Sequence, residues 1–369
     1  MGEAGQQETK STIQKMITVI DQGSSLSDQE RNQFLSTLSS YECWYPYLKL
    51  LENQLKEPAN DSEYLDIAVE MIRVRNLHLQ QQDPAVALCQ QLVKGQKLTF
   101  QSFHLSVLPR IITHRDYPTE VLFCRETAKH FVRQEDQVSC LEHLAMLYDK
   151  RLHSEKTLRK TWEQVLSLDP DNVRALRFFK TVHAQAGSWD EVAQTLQKLL
   201  KAVSHQEERH RVAQELAGVL LYQLQQAEEC LALLDQHCSN SLLDSTTLEY
   251  DARASLKDWT GCLQVLEKCL DKLSEDHLRA VIFFRMAPLH QHLNQKKEAI
   301  AALTQSSDLW PQFLEPLEEL VHILVKDKEW SELDKVLQNL GRKVQGDEYL
   351  KKITQLRGFI ASGISHGAG

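Results

Sequence analysis

The stretch Ser188-Trp189-Asp190-Glu191-Val192-Ala193-Gln194-Thr195-Leu196 has two relatives further along the chain. They run from Asp258-Trp259 to Val265-Leu266 and from Glu329-Trp330 to Val336-Leu337, and a weaker copy begins at Lys296. The three tryptophans are almost evenly spaced. Half of their spacing is about 35 residues, which is the period of a helical repeat. The repetition therefore predicts an architecture of stacked helical units rather than a particular reaction.

The composition is that of a folded, helix-rich protein. The chain has 369 residues, of which 42% are hydrophobic and 25% are charged, and both values are near the average for globular domains. Only 13 residues are Gly and 9 are Pro, while Leu, Gln, Glu, Lys and Ala, which favour helix, are abundant. We therefore expect the whole chain to fold, mostly as helix.

The charge balance argues against a general nucleic-acid binder. The formal net charge is −9, whereas such proteins usually carry a basic domain or stripe. Basic residues outnumber acidic ones only locally, between Lys150 and Lys180. This local excess is open to two interpretations, a solvated face on several helices or an anion-binding surface.

The cysteines and the N-terminus indicate a reducing compartment. The chain has eight cysteines, but no apolar segment of a secretory signal follows Met1, so we expect a cytoplasmic protein without disulfides. Cys230, Cys262 and Cys269 fall at repeat positions that face the core, where cysteine acts as a small hydrophobe. No apolar run is long enough to span a membrane.

The chain divides into four predicted regions. Residues 1–135 are expected to form helical hairpins with a degraded repeat, and 136–345 a clear array of repeats. A capping helix over 346–362 and a flexible tail over 363–369 follow. Pro109 lies inside an apolar-periodic stretch and predicts a kink or an early helix end. The second helices of the clear hairpins are predicted to begin at the following positions: Trp189, Ala227, Trp259, Lys296 and Trp330.

The best unit, residues 173–206, has a recognisable set of residues at fixed positions. Gly187 is its fifteenth residue, Trp189 its seventeenth, Val192 its twentieth and Leu196 its twenty-fourth, and Leu168-Asp169-Pro170-Asp171-Asn172 precedes it. This pattern resembles the tetratricopeptide-repeat (TPR) family. The resemblance covers about 138–345, with a weaker pattern over 60–135. It implies an all-α, superhelical solenoid of antiparallel helical hairpins, in which the first helix of each pair lines a concave inner wall.

The repeat spacing is irregular, and a related class stays open. The intervals between successive residues at the twentieth position of a unit are unequal, and we attribute this scatter to varying loop lengths. A half-repeat class found in RNA-processing scaffolds also uses spaced aromatic residues, and Trp162 fits that alternative. The residues at the twentieth position are Leu158, Val192, Cys230, Cys262, Ala299 and Leu333.

No motif for catalysis or for a metal site is present in the sequence. Cys-x-x-Cys, the Walker loop, Gly-x-Gly-x-x-Gly, Gly-x-Ser-x-Gly and His-Glu-x-x-His are all missing. Cys140 and His143 are one helical turn apart, but two ligands without a third indicate packing rather than a metal site. We therefore predict no catalytic residue, no metal and no cofactor.

The predicted working surface is the first-helix face, with Tyr222 or Phe284 as apolar anchors. Its charge changes along the chain from basic to neutral to acidic. Pro288 leaves the Phe284 carbonyl without its helical partner and predicts a bend. The repeated tryptophans are expected to brace neighbouring units instead. The candidate binding residues are Arg174, Arg177, Gln185, Arg211, Gln214, Tyr222, Asp251, Phe284, His292, Glu318, His322 and Lys326.

The sequence thus predicts a non-enzymatic interaction scaffold or adaptor. Its expected partner is another protein, bound as a peptide or helix in the groove, with an acidic segment near Arg174 and Arg177. Nucleic acid is not the expected partner. The alternative is a helical-repeat scaffold of an RNA-processing or ribonucleoprotein complex that uses the basic stretch 150–180.

Overall fold

The computed structural model describes residues 3–22, 26–58, 60–238, 245–310, 312–326, 328–343 and 347–366. Within these ranges all regular structure is helical and no strand occurs. The predicted all-α class is confirmed. No helix in the described part of the chain is long and apolar enough to cross a bilayer.

The α-helices are short and follow one another closely. In chain order they are α1 (Glu3–Asp21), α2 (Asp28–Ser40), α3 (Trp44–Leu55), α4 (Asp61–Arg73), α5 (Gln82–Gly95), α6 (Phe100–Ser102), α7 (Leu108–Ile111), α8 (Tyr117–Thr127), α9 (Gln134–Leu147), α10 (Glu155–Leu168), α11 (Val173–Gln185), α12 (Trp189–Ala202), α13 (Gln206–Gly218), α14 (Ala227–His237), α15 (Thr246–Ser255), α16 (Trp259–Leu270), α17 (Asp276–His292), α18 (Lys296–Leu309), α19 (Glu315–Lys326), α20 (Trp330–Lys343) and α21 (Asp347–His366).

Several first helices end in a wider, π-helical turn. These turns cover Val74–His78 after α4, Phe103–Val107 between α6 and α7, Tyr148–Leu152 after α9 and Val219–Gln223 after α13. The turn at Phe103–Val107 precedes Pro109, and the helical stretch ends soon afterwards at Ile111. The kink or early end predicted at Pro109 is confirmed.

Consecutive helices pair as hairpins, with the second helices where the tryptophan spacing places them. Trp189, Trp259 and Trp330 are the first residues of α12, α16 and α20, and Ala227 and Lys296 begin α14 and α18. In most hairpins of the described chain, among them α4–α5, α9–α10, α13–α14, α15–α16 and α17–α18, the two helices pack on each other. The predicted array of antiparallel helical hairpins is therefore confirmed.

All turns within hairpins of the described chain share one backbone conformation. The residue two positions before the second helix has a positive φ, between 49° and 72°. This left-handed region favours glycine, so glycine would be expected at each of these positions. Among these turn residues only Gly187 is a glycine. Three of the turns lie within the region 1–135, so the repeat continues there. The residues are Glu42, Gln80, Arg115, His153, Gly187, Gln225, Lys257, Asn294 and Lys328.

The irregular spacing has a different origin from the predicted one. The longest intervals between turn residues run from Glu42 to Gln80, from Arg115 to His153 and from Gly187 to Gln225, and each of them contains a π-helical turn. The next longest, from Lys257 to Asn294, contains α17, which at 17 residues is longer than the other first helices of its unit. Loop length alone is thus the wrong explanation, because much of the variation lies inside the first helices.

The chain forms two compact units, residues 1–178 and 179–369. In the N-terminal unit the core includes Phe103, Phe123 and Phe131, all at most 2% exposed. In the C-terminal unit one cluster of core residues runs from Cys262 on α16 to Ile360 on α21, and Leu196 on α12 and Leu216 on α13 are also at most 1% exposed. This division does not coincide with the sequence-based boundary at 135. The last helix, α21, extends to His366 and so includes part of the segment assigned to a tail, whose residues 367–369 lie outside the described ranges.

Candidate functional site

In the C-terminal unit the first helices lie side by side and leave one face exposed to solvent. Lys180 Nζ of α11 donates to Glu215 Oε1 of α13 at 2.7 Å, and Tyr222 Oη donates to Asp251 Oδ2 of α15 at 2.6 Å. We call the outward side of α13, α15, α17 and α19 the first-helix face. These contacts join the successive hairpins that begin with α11, α13 and α15.

A cavity of about 310 Å³ opens on the first-helix face between α15, α17 and α19. We call it the α17 pocket, because α17 contributes most of its wall. Its size is at the lower end of small-ligand sites, which suits a single side chain of a partner. The lining residues are Tyr250, Phe284, Arg285, Ala287, Pro288, Gln291, Leu303 and Glu319.

The apolar floor of the α17 pocket follows from the sequence of α17. Ala287 and Leu303 are at most 1% exposed and close the bottom. The Phe284 ring is held edge-on against Phe313, with 5.1 Å between centroids and an interplanar angle of 73°, a favourable aromatic geometry. Pro288 has no N–H, so the Phe284 carbonyl lacks its usual helical donor on this wall.

Two opposite charges stand at the rim of the α17 pocket. Arg285 on α17 and Glu319 on α19 are both exposed lining residues. Burial raises the pKa of the Tyr250 hydroxyl, an effect that the nearby Arg285 guanidinium partly opposes. Tyr250 therefore remains a neutral hydrogen-bonding group at neutral pH. The pocket can accept an apolar side chain while its rim pairs with charges on either side.

Of the predicted binding residues, Phe284 lines the pocket. Tyr222 and Asp251 form a hydrogen-bonded pair that joins the α13 and α15 hairpins. The Tyr222 ring is 54% exposed. The hydrogen bond to the Asp251 carboxylate, with a smaller contribution from burial, raises the pKa of Tyr222 to about 12. Tyr222 thus presents an apolar ring whose hydroxyl already has a partner.

The sequence did not identify six of the eight lining residues, although it named a chain neighbour of four of them. Tyr250, Arg285, Gln291 and Glu319 line the pocket, whereas Asp251, Phe284, His292 and Glu318 were named. A shift of one residue turns a helical side chain by about 100°. Numbering by the tetratricopeptide-repeat pattern assigns a residue to its repeat unit. It does not give the direction of the side chain around the helix axis when the first helices differ in length. The one available signal was Pro288, which marks the unusual helix.

His292 has a packing role that the numbering did not predict. Its ring stacks on Trp259, with centroids 4.5 Å apart and planes within 13°. The contact ties the start of α16 to the end of α17, so the prediction that the tryptophans brace units is confirmed for Trp259. Trp44 and His78 form the same stack in the N-terminal unit at 3.7 Å and 15°.

The remaining predicted residues are on the surface of their helices. Gln214 is half-buried and the others are exposed, and Arg174 Nη1 donates to Glu142 Oε2 at 2.8 Å. The Arg174 charge is therefore partly offset by a carboxylate. These residues are Arg174, Arg177 and Gln185 on α11, Arg211 and Gln214 on α13, and Glu318, His322 and Lys326 on α19.

Several cations of the basic stretch 150–180 have partners. Arg159 pairs with Glu163 at 3.3 Å, and Lys180 pairs with Glu215. The Arg151 guanidinium lies over the Tyr117 ring, 5.0 Å from its centroid. Such pairing reduces the positive potential that a polyanion would meet.

Cys140 and His143 do not converge on a common point. The Cys140 Sγ donates to the Cys124 carbonyl at 3.3 Å, whereas His143 Nε2 lies 2.7 Å from Glu120 Oε1. Cys230, Cys262 and Cys269 are buried, as expected for small core hydrophobes.

Comparison with known proteins finds similarity only among solved structures. No family model matches the chain, and no curated protein sequence matches it. One similar structure is entitled "YrrB: a TPR protein with an unusual peptide-binding site", with 16% identity over 49% of this chain and 90% of that chain and a TM-score of 0.35. Yeast Tom70 shares 10% identity over 98% and 93% of the two chains, with a TM-score of 0.31. The APC/C hetero-tetramer Cut9-Hcn1 shares 13% over 89% and 83%, with a TM-score of 0.29.

These scores are too low for a residue of those proteins to be mapped onto this chain. The hairpin geometry is independent of them. Successive antiparallel hairpins, whose internal turns recur at intervals of 32 to 38 residues, confirm the resemblance to tetratricopeptide repeats at the level of the fold.

Proposed function

We propose that the protein is a non-enzymatic scaffold that binds a peptide segment of a partner protein in the α17 pocket. The observation that carries the proposal is the pocket itself, with an apolar floor of Phe284, Ala287 and Leu303 below the charged rim residues Arg285 and Glu319. An apolar anchor flanked by complementary charges is a common way to fix both affinity and orientation.

The exposed Tyr222 ring extends this proposal within the C-terminal unit. Tyr222 offers a second apolar contact on the first-helix face. The Arg174 side chain is 73% exposed and can reach an acidic residue of a partner, although it would exchange Glu142 for that residue. We propose separately that Arg174 and Arg177, which belong to the N-terminal unit, meet an acidic segment of a partner protein.

A protein partner is favoured over the alternative of an RNA-processing scaffold. The net charge is −9, and Arg159, Arg174 and Lys180 already pair with carboxylates. All eight cysteines are unpaired thiols, and seven of them are buried. This supports a reducing compartment, and we propose a cytoplasmic location.

Selection of peptides from a phage-displayed library on the purified chain tests the proposal. Peptides selected by the wild type should bind the Arg285→Glu variant at least about tenfold more weakly, since a charge at a bound interface contributes on the order of 1.4 kcal/mol or more. Phe284→Ala should weaken peptide binding further, because it removes the aromatic ring on which the apolar side chain of the peptide would pack.

Leu278→Ala is the matched control, because Leu278 is an exposed apolar residue on the same helix that does not line the pocket. It should leave binding unchanged. Selected peptides that bind Arg285→Glu and wild type equally well would contradict the pocket assignment. Arg285 is exposed, so its replacement should not affect folding.

A further inference from the structure

The N-terminal unit contains a cluster of three side chains that are suited to binding a metal ion. His104 lies in the π-helical turn Phe103–Val107, Glu120 in the first turn of α8, and His143 on α9. One ligand atom from each lies within 4.8 Å of the other two. We propose that His104, Glu120 and His143 bind a divalent transition-metal ion of the zinc class.

The cluster is pre-assembled by contacts within the unit. His143 Nε2 lies 2.7 Å from Glu120 Oε1, and the two side chains are only 11% and 14% exposed. The rings of His104 and His143 meet edge to face with 4.5 Å between centroids. Phe100 packs against both imidazoles, at 5.6 Å and 5.7 Å. The three groups are thus held in place by neighbouring side chains rather than carried on a mobile loop.

One nitrogen of the cluster is left unsatisfied. Nδ1 of His104 is buried and has no hydrogen-bond partner among the described residues, whereas buried polar atoms are normally paired. A neutral imidazole carries one ring nitrogen with a lone pair, which is the atom that binds a metal ion. Coordination of a cation through Nδ1 would satisfy this nitrogen.

The distances require only a small adjustment to admit an ion. Zinc bonds to nitrogen and oxygen are about 2.1 Å, so tetrahedral ligand atoms are separated by roughly 3.4 Å. The His143–Glu120 separation of 2.7 Å would open by about 0.7 Å to reach that value, and the widest pair would close from at most 4.8 Å. Rotations about the side-chain bonds of half-buried residues supply such changes.

The ligand types select the metal. Two imidazoles and one carboxylate form a set that zinc and its neighbours prefer, while calcium and magnesium take oxygen ligands. Three protein ligands leave a fourth position open for water. The ion would join the segment around α7, the start of α8 and α9, so it would act as a tie between two successive hairpins.

The ligands are far apart in sequence, which is why no motif exposes them. His104 precedes α8, whereas Glu120 lies within it, and Glu120 and His143 are 23 positions apart. Standard zinc motifs place two ligands within about five residues. Here the hairpin packing, not local spacing, brings the ligands together, and the π-helical turn that carries His104 is of a kind often found at functional sites.

The test uses the full-length chain after removal of metal with a chelator. Titration with Co²⁺, followed by its visible absorption, and competition with Zn²⁺ should show one ion bound per chain. Zn²⁺ should also raise the thermal midpoint, since a ligand that binds only the folded state stabilises it, whereas Mg²⁺ should not.

His104→Ala and Glu120→Gln should each weaken Co²⁺ binding at least about tenfold and remove the Zn²⁺-induced shift, measured against each variant's own metal-free midpoint. Glu120→Gln keeps the side-chain shape and guards against loss of folding. His114→Ala removes an exposed imidazole of the same unit and should behave as wild type. The proposal is overturned if no saturable one-to-one binding occurs, or if Glu120→Gln and His104→Ala bind Co²⁺ as tightly as wild type.

Discussion

At the scale of single residues, the pair Tyr222 and Asp251 shows how a surface group can be fixed for binding. The Asp251 carboxylate accepts a 2.6 Å hydrogen bond from Tyr222 and raises the pKa of that hydroxyl to about 12. The folded chain holds this proton more tightly than an unfolded tyrosine, with its pKa of about 10. The resulting stability is therefore complete below pH ~10 and is lost as the pH rises toward 12.

Replacing Asp251 by Asn should return the pKa of Tyr222 toward about 10, because the amide removes the negative charge but preserves the shape. An ultraviolet titration of tyrosinate measures this shift. Subtracting the titration curve of Tyr222→Phe isolates Tyr222 among the nine tyrosines of the chain. If Tyr222 titrates at the same pH in Asp251→Asn as in wild type, the hydrogen bond does not exist in solution.

The residues of the α17 pocket show which parts of the site could be predicted from the sequence. Phe284 and Pro288 were identified from the sequence, because one is a large apolar residue in a polar register and the other breaks the helical pattern. Arg285 and Glu319 were not, since a charged residue on a helix surface carries no signal of what lies opposite. Only the packing of α15, α17 and α19 brings these residues around one pocket.

At the scale of elements, the inter-helix turns carry the repeat. Lys257 has φ of 59°, two residues before α16. A side chain in this region costs about 1–2 kcal/mol, partly offset by the entropy that glycine loses on folding. Lys257→Gly should therefore stabilise the chain by about 0.5 kcal/mol and raise its thermal midpoint.

Lys268→Gly is the control for this prediction, since Lys268 is an exposed lysine within α16 of the same hairpin. It should destabilise the chain by about 1 kcal/mol. Gly187→Ala, at φ of 72° with no atom within 4 Å of the added methyl group, should also destabilise it, through backbone strain alone. A lower midpoint for Lys257→Gly than for wild type would contradict the common turn geometry.

The elements explain why the sequence revealed only part of the repeat. The tryptophan spacing predicted the starts of α12, α16 and α20 correctly. The N-terminal hairpins were less distinct because no tryptophan recurs at the starts of their second helices α5 and α8, which begin at Gln82 and Tyr117. Two of their first-helix segments also include a π-helical turn, after α4 and before α7, which shifts the register of apolar positions relative to a regular unit. The backbone retains the repeat although its sequence signature has been lost.

At the scale of the whole molecule, the sequence predicted the fold class but not the division into units. The predicted boundary at 135 marks where the repeat signature becomes clear, whereas one compact unit ends at residue 178 and the other begins at residue 179. Signature and compactness are different properties, because any apolar side chains of suitable volume can pack a hairpin onto its neighbour. The N-terminal unit accordingly has a well-packed core despite its degraded signature.

We propose that a partner protein occupies the α17 pocket of the folded chain. Photo-cross-linking tests it most directly, with a benzophenone amino acid in place of Gln291, an exposed lining residue, or of Leu278, an exposed control on the same helix. In a native lysate we expect a discrete cross-linked partner from position 291, none from 278, and loss of the product when Arg285→Glu is added. Equal products from both positions, or a product unaffected by Arg285→Glu, would contradict the account.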